Sequence, residues 1–165
     1  MRPADEAAPA SDAACHPAIR EARARDLEAV IRLHEADTIG GHGDVWNADT
    51  RPGYEAAFAQ ITASPFSTLF VAEHVGEIVG TFQITLIPTI TGGGRPRAKV
   101  ESVQVDAARR GMGIGAAMMA HAEGWARERG ATFVELGSNK ARKDAHRFYE
   151  RLGYTASHEG FKKRL

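Results

Sequence analysis

Apolar positions along this chain change their period several times, and each change marks an element. Asp26 precedes Leu27, Val30, Ile31 and His34, an i, i+3, i+4, i+7 stripe behind a good N-cap residue, which predicts a first helix. Just before it, IREAR from Ile19 has the composition of a short strand. Pro52 stands near a second helix start, and Tyr54, Ala57, Phe58 and Ile61 follow at helical spacing, after a glycine-rich polar loop over residues 38–47. The middle of the chain alternates instead. STLFVAE and IVGTFQITLI flank a turn at Val75-Gly76-Glu77, and Ile78, Phe82, Ile84 and Leu86 share one face, the pattern of a hairpin. Pro88 and Gly92-Gly93-Gly94 interrupt it before AKVESVQV, whose Val100, Val103 and Val105 are interleaved with polar residues as a further strand.

Helical period returns from Ile114 to Arg129, with Ile114, Met118, Ala122 and Trp125 on one face and Gly130 placed to end the helix. FVEL reads as a short buried strand. Ser138 or Asn139 then opens a last helix with Ala141, Ala145, Phe148 and Leu152 facing inward and Gly153 closing it, and YTAS and EGFKKRL are two more strand candidates. The order is strand, two helices, three strands, helix, strand, helix and two strands. That is an α/β fold with a mixed, mostly antiparallel sheet of six to seven strands and helices on both faces. Residues 1–18 hold seven Ala and three Pro and no Val, Ile, Leu or aromatic residue, so residues 1–15 are expected to form a disordered tail and residues 16–165 one domain.

Composition narrows the function. Lys plus Arg and Asp plus Glu both total 21, and a chain with no net charge is poorly suited to a nucleic-acid partner. No run approaches the roughly 18 apolar residues of a membrane helix, and no charged-then-apolar leader precedes a cleavage site, so a cytoplasmic location is expected. The one cysteine, Cys15, falls in the tail, away from any covalent mechanism. The seven histidines show no H-x-H or H-E-x-x-H spacing; no metal is expected and no histidine is assigned a role.

The segment Arg109-Arg110-Gly111-Met112-Gly113-Ile114-Gly115-Ala116 lies between a strand and a helix. Glycines there let backbone N–H groups approach an anion at the positive end of a helix. A phosphate loop of the Gly-Lys-Ser/Thr type is excluded by Gly115-Ala116. Gly111 to Ala116 does fit the dinucleotide pattern G-x-G-x-x-G/A, with Glu135 near the ribose position. Yet five residues, 106–110, precede the first glycine, and only about 30 residues follow the next strand, too few for further parallel units.

Arg110-x-x-Gly113-x-Gly115 after a valine-rich strand resembles the Q/R-x-x-G-x-G/A motif of the GNAT superfamily of N-acetyltransferases. Asn139, followed by Ala145-His146-Arg147-Phe148-Tyr149-Glu150-Arg151-Leu152-Gly153-Tyr154, resembles the closing A-x-x-F-Y-E-x-L-G-F/Y signature of the same superfamily. The resemblance covers about residues 19–165 and is strongest over 101–154. It implies a sheet splayed around acetyl-CoA, whose pyrophosphate rests on the amides of Arg110, Gly111, Met112, Gly113, Ile114, Gly115 and Ala116. It also implies that the pantetheine arm pairs with the backbone of Val103, Gln104 and Val105, beside Asn139 and Phe148. Asn139 has a plainer alternative as a helix N-cap.

The implied reaction is direct transfer of an acetyl group to a primary amine of a small molecule. An amine of pKa about 10 must lose a proton, and Glu101, read as sharing a face with Val103, is the expected base, acting through water. Its alternative is a surface glutamate paired with Lys99 or Arg97. Tyr149 is the expected acid for the leaving thiolate, and a backbone N–H on the central strand is expected to hold the oxyanion. Relatives line the acceptor site with the loop that is here Gly40 to Trp46, where Asp37, Asp44 and Trp46 are candidates to attract a cationic amine; the alternative is a polar surface loop. A non-catalytic acyl-CoA binding module is the alternative function. A homodimer through sheet edges or the EGFKKRL strand is expected.

Overall fold

The computed structural model describes residues 16–39 and 41–165; the predicted tail and Gly40 lie outside them. Five strands form one sheet in the order β1 (Ala18–Glu21), β2 (Ser67–His74), β3 (Glu77–Ile87), β4 (Arg97–Val105) and β5 (Val134–Leu136). Neighbours are antiparallel except β4 and β5, which run parallel. The helices are α1 (Leu27–Glu35), α2 (Arg51–Ala63), α3 (Ile114–Glu128) and α4 (Lys143–Arg151).

Strand alternation sorts the side chains to two faces. On one, Phe70, Phe82, Ile84, Ala98 and Val100 meet Ile114, Met118, Ala122 and Trp125 of α3, all buried, and Phe148, Tyr149 and Leu152 of α4 pack against this cluster. Each such aliphatic or aromatic side chain contributes about 1.5–3 kcal/mol on burial. Gly80 is needed here, because a Cβ would come within 2.7 Å of the Met118 sulfur. On the other face, Leu27, Val30 and Ile31 of α1 are buried, whereas α2 buries no residue.

The sheet has five strands among the described residues, not six to seven. YTAS and EGFKKRL form none, and residues 155–165 are exposed throughout. EGFKKRL holds only Phe161 and Leu165 as large apolar residues, and both are exposed, so no alternating apolar face exists to anchor a strand. The strand invoked for pairing two copies is therefore absent. The last helix begins at Lys143 rather than at Ser138 or Asn139, leaving Ala141 exposed in the preceding turn.

Asp26 precedes α1 as predicted but does not cap it with its side chain. Its carboxylate accepts from Arg20 Nη1 at 2.7 Å, from Arg20 Nη2 at 3.0 Å and from the Arg23 amide at 2.8 Å. Arg20 also donates to Glu73 at 2.8 Å, so this buried carboxylate ties β1 to α1 and to β2. Asp26→Ala should lower stability by about 2–4 kcal/mol in chemical denaturation, since it strands a partly buried guanidinium. The Arg20 hydrogen bonds hold the Asp26 pKa below its ordinary value. Its contribution is therefore complete above the unfolded value of about 3.9 and fades as pH falls through the lower folded value. The wild type should lose more stability than Asp26→Ala between about pH 5 and pH 2.

Candidate active site

Parallel pairing between β4 and β5 covers Ala98↔Val134, Lys99↔Glu135 and Val100↔Leu136 and then stops. Beyond Val100 the two strands part, and the β4 edge from Glu101 to Val105 faces the gap without a strand partner on that side. A bulge stands at the same place. Gln83 pairs with Glu101 and Thr81 with Gln104, so β4 carries one residue more than β3 in this interval. Ser102 takes the strain with a φ of 54°, a left-handed conformation rare outside glycine.

The bulge corrects the predicted geometry of Glu101. Paired residues share a face, and Gln83 and Thr81 lie on one face of β3, so Glu101 and Gln104 lie together and Val103 lies opposite. Val103 and Val105 pack on the α3 side. Glu101 is exposed on the α1 side, with its carboxylate 2.9 Å from Lys99 Nζ, the pairing named as the alternative.

Gln104 was expected to offer only backbone. Its side chain is buried and donates to Asp37 Oδ2 at 2.7 Å, and Arg142 forms an ion pair with the same carboxylate oxygen. Asp37 is thereby withdrawn from the set of carboxylates free to attract an amine. The Arg142 ion pair and the Ile39 amide outweigh burial and hold the Asp37 pKa down. These three residues join the end of α1 to β4 and to the approach of α4 across the gap. Ser138, next to β5, has a buried hydroxyl with no partner among the described residues.

The glycine loop leaves β4 through a 3-10 turn over Ala107–Arg109, capped by Asp106, which accepts from the Ala108 amide at 3.0 Å. Arg109 is tied back to Glu77 at 2.8 Å, while Arg110, Gly111, Met112 and Gly113 are exposed. Gly111 and Gly113 have φ of 82° and 79°, and Gly113 is the N-cap of α3 with no side chain to cap it. Among the described residues no amide from Gly111 to Ala116 donates to a protein acceptor; the first helical bond is Ala117 N–H to Gly113 O. Gly115 is glycine for another reason, since a Cβ would meet Phe148 Cζ at 3.1 Å. Phe148 thus locks α4 onto the start of α3.

Tyr149 packs edge-on against Phe148 and Tyr154, with centroids 5.1 and 5.9 Å away. Its hydroxyl bonds to no described protein group, whereas that of Tyr154 donates to Glu123 at 3.0 Å. Burial raises the Tyr149 pKa and the Arg142 charge opposes that rise. Asn139 accepts from the Ala141 amide at 2.9 Å and so organises the turn before α4.

On the α1 side a groove of about 300 Å³ lies between α1, α2 and the sheet and reaches Ser102. Asp44 lines it, held by the Tyr54 hydroxyl at 3.1 Å; Trp46 does not, stacking instead on Tyr54 with centroids 6.0 Å apart. His34, left unassigned in the sequence, also lines the groove. Burial lowers its pKa against the opposing charges of Asp44 and Asp37. Its place on the Val30–Ile31 stripe was the signal available.

A splayed sheet with an amide-lined loop at one end of the split defines an acyl-transfer fold, and comparison identifies it. The acetyltransferase (GNAT) family matches residues 27–154. Glucosamine 6-phosphate N-acetyltransferase from Trypanosoma brucei brucei is 35% identical over 138 residues, 79% of this chain and 90% of that protein. Aminoalkylphosphonate N-acetyltransferase from Salmonella typhimurium is 52% identical over 56 residues, a match spanning 34% of this chain and only 36% of that relative's length. The crystal structure of a transcriptional regulator from Bacillus halodurans C-125 has a TM-score of 0.87 at 39% identity, covering 91% of this chain and 100% of that one. The chain belongs to the GNAT acetyltransferase family.

The Gly115–Phe148 contact is testable by a double-mutant cycle. Gly115→Val should cost about 1–3 kcal/mol through overpacking. In a Phe148→Ala background the same substitution should cost less, with a coupling of about 0.5–3 kcal/mol.

Proposed function

We propose that this protein transfers the acetyl group of acetyl-CoA directly to the primary amine of a small molecule. The observation that carries the reading is a row of unsatisfied amides from Gly111 to Ala116 at the start of α3, continuous with the unpaired edge of β4. Phosphate oxygens suit such amides, and an extended amide-bearing arm suits a free strand edge. The orphaned Ser138 hydroxyl beside the gap also suits a polar ligand there. Two relatives bear names of enzymes that acetylate amines.

In this reading Arg110, Gly111, Met112, Gly113, Ile114, Gly115 and Ala116 hold the pyrophosphate, and Val103, Gln104 and Val105 offer backbone to the pantetheine. Asn139 shapes the far wall through its turn, and Phe148 sets the loop against α4. The amine nitrogen attacks the thioester carbonyl, whose oxygen takes negative charge beside the backbone freed at the bulge. Glu101 receives the amine proton through water, on the groove side of the sheet. As the carbon–sulfur bond breaks, Tyr149 gives its phenolic proton to the CoA thiolate and regains one from solvent, while the proton on Glu101 returns to solvent. Burial keeps that phenol protonated at neutral pH, as an acid must be.

Tyr149→Phe should leave acetyl-CoA affinity in calorimetry unchanged while kcat for thiol release falls about 10²- to 10⁴-fold. Full turnover in that variant would remove the tyrosine from the reaction. Gly113→Val should abolish acetyl-CoA binding in a protein that still folds, because valine is strained at a φ of 79° and its side chain projects among the amides. Unchanged affinity there would remove the loop from the binding site.

A further inference from the structure

The groove's lining has a definite electrical character. Seven of its thirteen lining residues are apolar, among them Leu27, Val30, Ile31, Phe58 and Ile61, and two histidines, His34 and His42, also line it. Asp44 supplies a carboxylate, and no Lys or Arg lines the groove among the described residues. The guanidinium groups of the bordering elements are engaged elsewhere: Arg32 with Glu28 at 2.8 Å, Arg51 with Glu55 at 2.7 Å, and Arg142 with Asp37. Tyr54 fixes Asp44 by donating to it, so the carboxylate is aimed before any ligand arrives.

From this lining we infer that the acceptor is a cationic primary amine carried on an uncharged, largely apolar body of arylalkylamine type, and not a phosphate- or phosphonate-bearing amine. The inference rests on the acetyl-transfer reading and names its substrate class. An ammonium group gains Asp44 as its partner, while the apolar body displaces water from the aliphatic wall. A phosphate dianion would face Asp44 with no lysine or arginine on the lining to offset it, and desolvation of such a charge is unfavourable. Burial disfavours the charged imidazolium of His34, which reduces its repulsion of an ammonium. A volume of about 300 Å³ lies at the small end of ligand sites and suits a compact amine.

The test uses the full chain with 2-phenylethylamine, 2-aminoethylphosphonate and glucosamine 6-phosphate, and reads two quantities. Calorimetry, with and without CoA, reads binding of each amine; thiol release from acetyl-CoA reads transfer. 2-Phenylethylamine should bind, and should exceed both anionic amines by at least about 100-fold in kcat/KM. Asp44→Asn should weaken its binding at least about tenfold. Phe58→Arg, on a helix that buries no residue, should improve binding of 2-aminoethylphosphonate and weaken that of 2-phenylethylamine, with an unchanged melting curve showing that the variant is folded. Equal or tighter binding of either anionic amine to the wild type overturns the inference, as does failure of 2-phenylethylamine to bind. Binding in the expected order without thiol release overturns the transfer reading and leaves the groove's ligand class standing.

Discussion

The pairing of β4 with β5 ends after Val100 and Leu136, and the rest of the site depends on that ending. Had the two strands stayed hydrogen-bonded, the amides and carbonyls of Glu101 to Val105 that point away from β3 would be spent inside the sheet. Because β5 turns away into Gly137 and Ser138, those groups remain available at the middle of the protein, where a strand edge is otherwise a liability. The bulge at Ser102 makes the separation sharper by kinking β4 at its point of departure. The same divergence fixes where the glycine loop begins, since Asp106 follows directly on the unpaired strand.

A sheet opened in this way needs something across the gap. The α3 side is closed by packing, with Phe148 on Gly115 and with Tyr149 and Leu152 on the main apolar cluster. The α1 side is closed by charge, through Asp37, Gln104 and Arg142. Residues 105 positions apart are joined there by one carboxylate, so the acceptor-side loop and the approach to α4 cannot move independently without breaking a partly buried ion pair. In contrast, α2 covers its groove without burying any residue, and a wall with so little apolar contact is the element best able to adjust to a ligand.

Local patterns were legible where period and punctuation agree. The α3 stripe from Ile114 to Trp125, the Val75-Gly76 turn and the ends at Gly130 and Gly153 follow from short-range chemistry, and all are present. The glycine loop and the Phe148-Tyr149 segment were recognisable through their resemblance to the motifs of the GNAT superfamily. The bulge left only a parity break: Val100 and Val103 are three apart in AKVESVQV, so strict alternation fails between them, although nothing about serine announces a positive φ at position 102. That one extra residue reversed the face assigned to everything on one side of it. The Asp37 cluster left no trace at all, because partners so distant in sequence carry no mutual periodicity. EGFKKRL failed differently, since strand propensity without an apolar face or an available edge yields no strand.

The reversal at Ser102 changes how the proposed proton movements are divided in space. With Glu101 and Val103 on one face, base and thioester would crowd the same side of the sheet. With the bulge, Glu101 lies with Gln83 on the groove side, where the incoming amine must shed its proton. Tyr149 belongs to the α3 side, packed with the apolar cluster and next to the helix that bears the amide loop, where the thiolate would emerge. In the proposed reaction the sheet then separates the proton acceptor from the proton donor, with the scissile bond between them. In this reading a carboxylate and a phenol so placed need no direct proton exchange: each is restored by solvent from its own face, with the Glu101 carboxylate held beside Lys99.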